Sequence, residues 1–372
     1  MKKWIVILIL VLPTLAQAQI SFTEIKSRSY FEVEGLTGSV WAHHDAIKYI
    51  LQYPPTGVNL KLGFLSNGNN LWQHDLKLPR YGLGYQFATL GSDILGKSHA
   101  IYLFVESDII KKRKWQWYYN LGAGVGFVDN PYDPEKNPLN IVNGSVTNAY
   151  LRVSTGASIS VNSKNAIGIN GGLFHLSNGN LWLPNWGVNA FYGSISWKHK
   201  LSDSVSIIPK NKALNSGHKQ RVTLYGSMGF KEERPINGEN YFISDFHANY
   251  WRKHRPAFAW GAGISIIYDE ASKKMLWRGD YENEIPLQDF NVKTSDYYSA
   301  AIQAGYMLCM HPVYFSFEFG VYVYSTPNRD ILNRWLLEIY ITHNTRIYGG
   351  LKSRFGKADF IEYGLAYDLF RK

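Results

Sequence analysis

The stretch Trp115-Gln-Trp-Tyr-Tyr-Asn-Leu-Gly-Ala-Gly-Val-Gly-Phe127 alternates without a break. Odd positions carry Trp115, Trp117, Tyr119, Leu121, Ala123, Val125 and Phe127, and even positions carry Gln116, Tyr118, Asn120, Gly122, Gly124 and Gly126. A period of two sends successive side chains to opposite faces, so this is a strand with one apolar face and one polar or small face. The rhythm returns over 147–161, where Asn148, Arg152, Ser154, Ser158 and Ser160 share the even row, and over 313–323, where Tyr314, Ser316, Glu318, Gly320 and Tyr322 do. Similar segments lie near 57–65, 80–90, 98–110, 165–178, 187–200, 221–232, 240–252, 257–268, 296–309, 335–343, 346–354 and 358–370. Gly, Asn, Pro and Asp separate them, which reads as a succession of hairpins.

Composition narrows what such a chain can be. The 372 residues hold 39 Lys+Arg against 29 Asp+Glu, a single cysteine, 12 Trp, 26 Tyr and 19 Phe. Charged residues make up 18% and aromatics 15%, whereas globular proteins average about 25% charged. A disordered chain is excluded by this appetite for burial, and a disulfide scaffold by the lone Cys309. The net charge of +10 is scattered rather than striped, so no nucleic-acid partner is expected.

Lys2 and Lys3, the apolar run Trp4 to Leu12 and Ala16-Gln17-Ala18 form a secretory signal peptide over residues 1–18. The run is shorter than the roughly 20 residues of a spanning helix. Two architectures then remain: a soluble sandwich with the apolar rows inside, and a transmembrane barrel with those rows in lipid. Low charge, the Trp and Tyr excess and the export signal favour the barrel. The ending Tyr363-Gly-Leu-Ala-Tyr-Asp-Leu-Phe370 is an alternating last strand with a near-terminal aromatic, followed by Arg371 and Lys372. The expected fold is all-β, a transmembrane antiparallel β-barrel of about 14–16 strands, with residues 36–44 leaving the parity open. Residues 19–200 form the portion carrying the site, 201–220 a polar connector, and 221–372 further strands of the same unit.

Function concentrates in Gly171-Gly-Leu-Phe-His175-Leu-Ser177-Asn178-Gly179-Asn-Leu-Trp-Leu-Pro184-Asn185-Trp-Gly187-Val-Asn189. His175 and Ser177 continue the apolar row Ile167, Ile169, Gly171, Leu173, and Asn189 begins the apolar row of the next strand. Two strands sharing faces in a register that pairs 177 with 187 place His175 opposite Asn189, with Cβ atoms about 5 Å apart. Hydrogen-bonding groups on a face assigned to lipid are a functional signature. Ser177 needs a base, which His175 can be. Asn189 can fix the imidazole tautomer as the Asn of Cys-His-Asn proteases does. Asn178, Asn185 or the backbone at Gly179 can donate to an oxyanion. The competing reading is a strand end at the water interface followed by turn-forming Asn-Gly and Pro-Asn.

His-x-Ser-Asn followed by Pro-Asn-x-Gly resembles the PagL family of outer-membrane lipid A 3-O-deacylases, over residues 175–189 and more loosely over 57–200. The resemblance implies that Ser177 is the nucleophile and His175 the base, on the outside of a barrel, with Asn178 and Asn185 as oxyanion candidates. The family's acidic residue, a Glu, falls at Asn189 here. The window is also similar to outer-membrane phospholipase A, whose His-x-Ser-Asn-Gly is joined by a catalytic Asn at a spacing like that of Asn189. The basic residue that follows in that family is Asn180 here, which argues against its calcium site. The expectation is an outer-membrane serine esterase that removes an acyl chain from lipid A. The alternatives are a phospholipase A and a non-catalytic porin-like or adhesin barrel.

Other segments carry less. His43-His44-Asp45 and His74-Asp75 offer ligand types without matching partners, so no metal and no cofactor are expected. Asn130 to Pro138 reads as a turn-rich connector and Lys111-Lys-Arg-Lys114 as a solvated hairpin turn. The expected surroundings are the outer membrane of a Gram-negative bacterium, with lipopolysaccharide or phospholipid as substrate. The sequence leaves open whether the barrel forms a homodimer.

Overall fold

A computed structural model of the chain describes residues 26–203, 205–212, 218–279, 285–327, 329–354 and 357–372. The expected signal peptide, 1–18, lies outside the described residues. Sixteen strands form two closed antiparallel barrels of eight. The first comprises β1 (Ser29–Val40), β2 (Thr56–Leu65), β3 (Arg80–Thr89), β4 (Lys97–Lys111), β5 (Trp115–Val128), β6 (Thr147–Ser160), β7 (Asn165–Ser177) and β8 (Val188–Lys200). The second comprises β9 (Gln220–Glu232), β10 (Asn240–Arg255), β11 (Phe258–Asp269), β12 (Tyr298–Met310), β13 (Val313–Ser325), β14 (Ile331–Tyr340), β15 (Thr345–Arg354) and β16 (Lys357–Arg371). At 10 to 16 residues each strand is long enough to cross a bilayer at the usual tilt.

Alternation fixes which face goes where. On β5, Trp115, Trp117, Val125 and Phe127 are exposed on the outer wall, while Tyr118 and Asn120 are buried in the lumen. β13 does the same with Phe319, Val321 and Val323 outside and Ser316 and Glu318 inside. The glycines on the inner row of β5 make room for a neighbour's ring: a Cβ on Gly122 would stand 2.7 Å from Tyr102 Cδ2.

An eight-stranded barrel is just wide enough for side chains to fill it, and both lumens are filled. In the first, Lys61 Nζ reaches Glu32 at 2.9 Å, Arg80 Nε reaches Glu106 at 2.6 Å, and Arg152 Nη2 reaches Glu34 at 2.7 Å, all buried. In the second, Arg334 meets Asp245, Glu318 and Glu362, and Arg346 meets Glu338 and Asp368. Ions removed from water must be paired across the bore to be tolerated there.

One expectation is corrected and one open point is filled. Residues 221–372 do not extend one wall: β8 returns to β1 and β16 to β9, so each half completes its own ring. The first strand, whose existence the sequence left open, is Ser29–Val40 and takes in residues 36–40. Its inward row includes Glu32 and Glu34, whose charges hide a strand from apolar pattern reading until Lys61 and Arg152 pair them.

The barrels stand side by side and touch at both ends. At the end bearing the chain termini, Asp75 accepts from Arg255 Nη2 at 2.6 Å and from the Ala257 N–H at 3.1 Å. Trp72, Leu76 and Ala257 are buried together beside these bonds. At the opposite end the β7–β8 turn lies against β9 and β16.

Candidate functional site

β7 and β8 pair in the register read from the sequence, with His175 opposite Asn189. The pairing puts imidazole and carboxamide on the outer face at the rim of the first barrel. His175 Nδ1 lies 2.8 Å from Asn189 Oδ1. Because a carbonyl oxygen can only accept, Nδ1 carries the proton and the Nε2 lone pair is left to act as a base. His175 is half-buried and Ser177 is 5% exposed.

The Ser177 hydroxyl is held elsewhere at rest. It donates to Asn185 Oδ1 at 3.1 Å and accepts from the Gly179 N–H at 3.3 Å, with no hydrogen bond to His175. Side chains two apart on a strand share a face, and His175 and Ser177 are two apart on β7.

The turn at 178–187 supports this arrangement from below. Asn185 Oδ1 also accepts the Asn178 N–H at 3.0 Å, and Asn185 Nδ2 donates to Asn180 Oδ1 at 3.2 Å. Asn178 Nδ2 donates to the Trp182 carbonyl at 2.7 Å. Each of the two side-chain amides, expected as oxyanion candidates, donates one hydrogen bond within the turn. The donors directed at the Ser177 end of the strand are backbone N–H groups, of which Gly179 is in contact with Oγ. Gly179 and Gly187 have φ of +63° and +73°, a region open to glycine and costly for residues with a Cβ. A Cβ on Gly187 would also stand 3.0 Å from His175 Cε1.

Along the outer wall, rungs pairing β7 with β8 run from the site: His175 with Asn189, Leu173 with Phe191, Gly171 with Gly193, and Ile169 with Ile195. Gly193 of that rung also lines a shallow groove of about 720 Å³ across β8, β1, β2 and β3, with Gly35, Val58, Phe87 and Ile195. A Cβ on Gly35 or Gly193 would meet no atom within 4 Å. Exposed Trp41 and Trp182 stand near the rim, Trp41 with its ring 6.1 Å from that of Phe191. The Lys111–Lys114 turn lies at the other end of the barrel, away from the site.

Sequence reasoning missed three participants. Asn180, at φ +64°, bridges the turn to the second barrel, and Glu232 and Ile361 of that barrel touch the turn. Asn in an Asn-Gly-Asn run is a cue for left-handed backbone. Nothing in the sequence ties position 232 to position 183.

Two family models match the chain. Residues 56–198 match "Lipid A 3-O-deacylase (PagL)", and residues 220–372 match "Acyloxyacyl hydrolase, C-terminal domain". Among solved structures, Neisserial surface protein A is 12% identical at a TM-score of 0.31, covering 46% of this chain and 96% of its own. The outer-membrane enzyme PagL is 17% identical at 0.28, covering 45% and 98%. A triple mutant of the Rhodopseudomonas blastica porin is 7% identical at 0.17, covering 92% and 99%. No curated protein matches the sequence.

Lipid-facing barrels joined to these two matches define an ester hydrolase of the outer membrane. The chain belongs to the PagL family of lipid A 3-O-deacylases, with a C-terminal acyloxyacyl hydrolase domain following the PagL region.

Proposed function

We propose that the protein removes an ester-linked acyl chain from lipid A, with Ser177 as nucleophile, His175 as general base and Asn189 holding the imidazole tautomer. The observation that carries this reading is the 2.8 Å contact between His175 and Asn189 on the lipid-facing wall, beside a buried serine hydroxyl. Ser177 Oγ attacks the ester carbonyl while its proton passes to His175 Nε2. The Gly179 N–H, joined by that of Asn178 once Asn185 releases it, receives the oxyanion. Collapse breaks the ester C–O bond, and His175 returns the proton to the departing sugar hydroxyl. Water, deprotonated by the same imidazole, then hydrolyses the acyl-serine and frees the fatty acid.

Loop lengths support the outer leaflet as the workplace. The Ser177 end of the first barrel carries the connections 41–55, 90–96, 129–146 and 178–187, while the other end carries 66–79, 112–114 and 161–164. In the second barrel the same end carries 233–239, 270–297, 326–330 and 355–356, against 256–257, 311–312 and 341–344 opposite. Outer-membrane barrels put longer loops outside and short turns in the periplasm. A substrate already in the leaflet reaches the wall sideways, with its acyl chain laid along the glycine groove.

Mass spectrometry of lipid A from cells expressing the protein tests this directly. Loss of one hydroxyacyl chain, absent from vector controls, is the expected result. Lysophospholipid and free fatty acid with intact lipid A would instead make the enzyme a phospholipase, and unchanged lipids would refute both.

Two further outcomes follow from the site. Asn189→Ala removes one neutral hydrogen bond, worth about 1 kcal/mol, and is expected to lower kcat about five- to tenfold. Asn189→Glu supplies a carboxylate to the developing imidazolium and is expected to meet or exceed the wild-type rate in steady-state assays on detergent-dispersed lipid A. Gly193→Trp fills the groove. Displacing roughly four methylenes from it, at about 0.8 kcal/mol each, lowers kcat/KM for long-chain esters about 10²-fold and leaves short-chain esters nearly unaffected. Equal losses on both chain lengths would remove the groove from the acyl-binding surface.

A further inference from the structure

The β7–β8 turn is anchored outside its own barrel. The Asn180 carbonyl accepts the Glu232 N–H at 2.8 Å, and Asn180 Nδ2 donates to the Ala358 carbonyl at 2.5 Å. The Leu183 N–H donates to Glu232 Oε2 at 2.7 Å, and Glu232 Oε1 accepts the Gly238 N–H at 2.8 Å. Glu232 is 2% exposed, and no cation lies in ion-pair contact with it among the described residues. Its carboxylate is satisfied by backbone N–H groups. An acid placed in this way has a geometric task, because a carboxylate accepting several N–H bonds fixes the segments that supply them. Below the turn, a Cβ on Gly179 would stand 2.4 Å from Ile361 Cγ1 and 3.0 Å from the Ile361 nitrogen, so the turn rests directly on β16.

These contacts connect to the reacting atoms in few steps. Glu232 and the Ala358 carbonyl hold Asn180, Asn180 Oδ1 holds Asn185 Nδ2, and Asn185 Oδ1 holds both the Ser177 hydroxyl and the Asn178 N–H. Ile361 holds Gly179, whose N–H reaches Ser177 Oγ. Every link is a hydrogen bond of 2.5 to 3.3 Å or a packed contact, and the links enter the first barrel only at Ser177, the last residue of β7. The far end of the molecule repeats the arrangement, with Asp75 gripping Arg255 and Ala257, so the second barrel is fixed in position at both ends.

We infer that the second barrel is a brace for the active-site turn, with Glu232 as a positioning residue that sets the Gly179 and Asn178 N–H groups and Asn185 around Ser177. The inference rests on the reading of Ser177 as nucleophile. It assigns the C-terminal half a part in the reaction that closure of the first barrel alone does not require.

The experiment uses the full chain in detergent or vesicles and reads two rates, lipid A deacylation and covalent labelling of Ser177 by an alkyl fluorophosphonate. Misplacement of reacting groups by about an ångström costs up to about 10²-fold. Glu232→Ala is therefore expected to lower kcat and the labelling rate together by about ten- to a hundredfold with KM little changed. Glu232→Gln, which keeps an oxygen for the Leu183 N–H, is expected to recover most of that loss. Should Glu232→Ala fail to fold, Ile361→Ala removes the support under Gly179 without touching a hydrogen bond, and a fall of several-fold in both rates is expected. Folded Glu232→Ala and Ile361→Ala proteins with wild-type rates would overturn the brace while a silent Ser177→Ala control kept the nucleophile assignment. An active, unlabelled Ser177→Ala would end both.

Discussion

Ser177→Ala is expected to lower lipid A deacylation by at least about 10⁴-fold and to abolish fluorophosphonate labelling. Loss of a catalytic serine removes the acyl-enzyme route altogether, and in serine hydrolases this costs up to about 10⁶ in kcat. The fold should survive, because the hydroxyl contributes one ordinary hydrogen bond to Asn185 at 3.1 Å, worth about 1 kcal/mol. His175→Ala is expected to lose a similar amount, and the double variant no more than either alone, since nucleophile and base act as a unit. The rates are read on lipid A in mixed micelles, with folding checked by the heat-dependent shift of barrel proteins in gels. A Ser177→Ala protein within tenfold of wild type would remove this serine from the mechanism.

The second large effect is on stability. Arg334 is fully buried in the second lumen, with Nη1 3.2 Å from Glu318 and Nε 2.9 Å from Glu362, and it is also paired with Asp245. Arg334→Met keeps much of the volume and leaves three carboxylates around an apolar chain. Breaking a buried pair by removing one partner costs about 3–5 kcal/mol, and here a single guanidinium serves three acids. The variant is expected to unfold its second barrel at distinctly lower urea, measured by tryptophan fluorescence in detergent. The first barrel closes on its own hydrogen bonds between β1 and β8, so its transition should move much less. Coincident, unshifted transitions would show that the cluster carries little of the second ring's stability. If the brace holds, the same variant also loses activity as the second barrel loosens.

Both effects depend on features that differ in how visible they are along the chain. The outward and inward rows of β5, β7 and β13 follow from period-two patterning, which is a local property. The His175–Asn189 pairing was legible for the same reason: two strands sharing a greasy face across a short turn admit few registers. β1 was left open because Glu32 and Glu34 look like surface residues until Lys61 and Arg152 reach them across the bore. The sequence left the oxyanion donor open among Asn178, Asn185 and the backbone at Gly179, since turn amides bond locally and the sequence does not say which local partner wins.

Alternation, composition and the export signal favoured a membrane barrel over a soluble sandwich, and the strand rows put His175, Ser177 and Asn189 on one face expected to meet lipid. Those conclusions need only neighbours in sequence and the free-energy cost of polar groups in hydrocarbon. That sixteen strands divide into two rings, and that the second ring carries the turn of the first, was decided only in three dimensions. Ring closure is a choice of hydrogen-bond partners by strands far apart in the chain, β8 for β1 and β16 for β9. The identical alternating pattern would serve one ring of sixteen, and in each ring of eight the buried charges find their partners across the narrow bore.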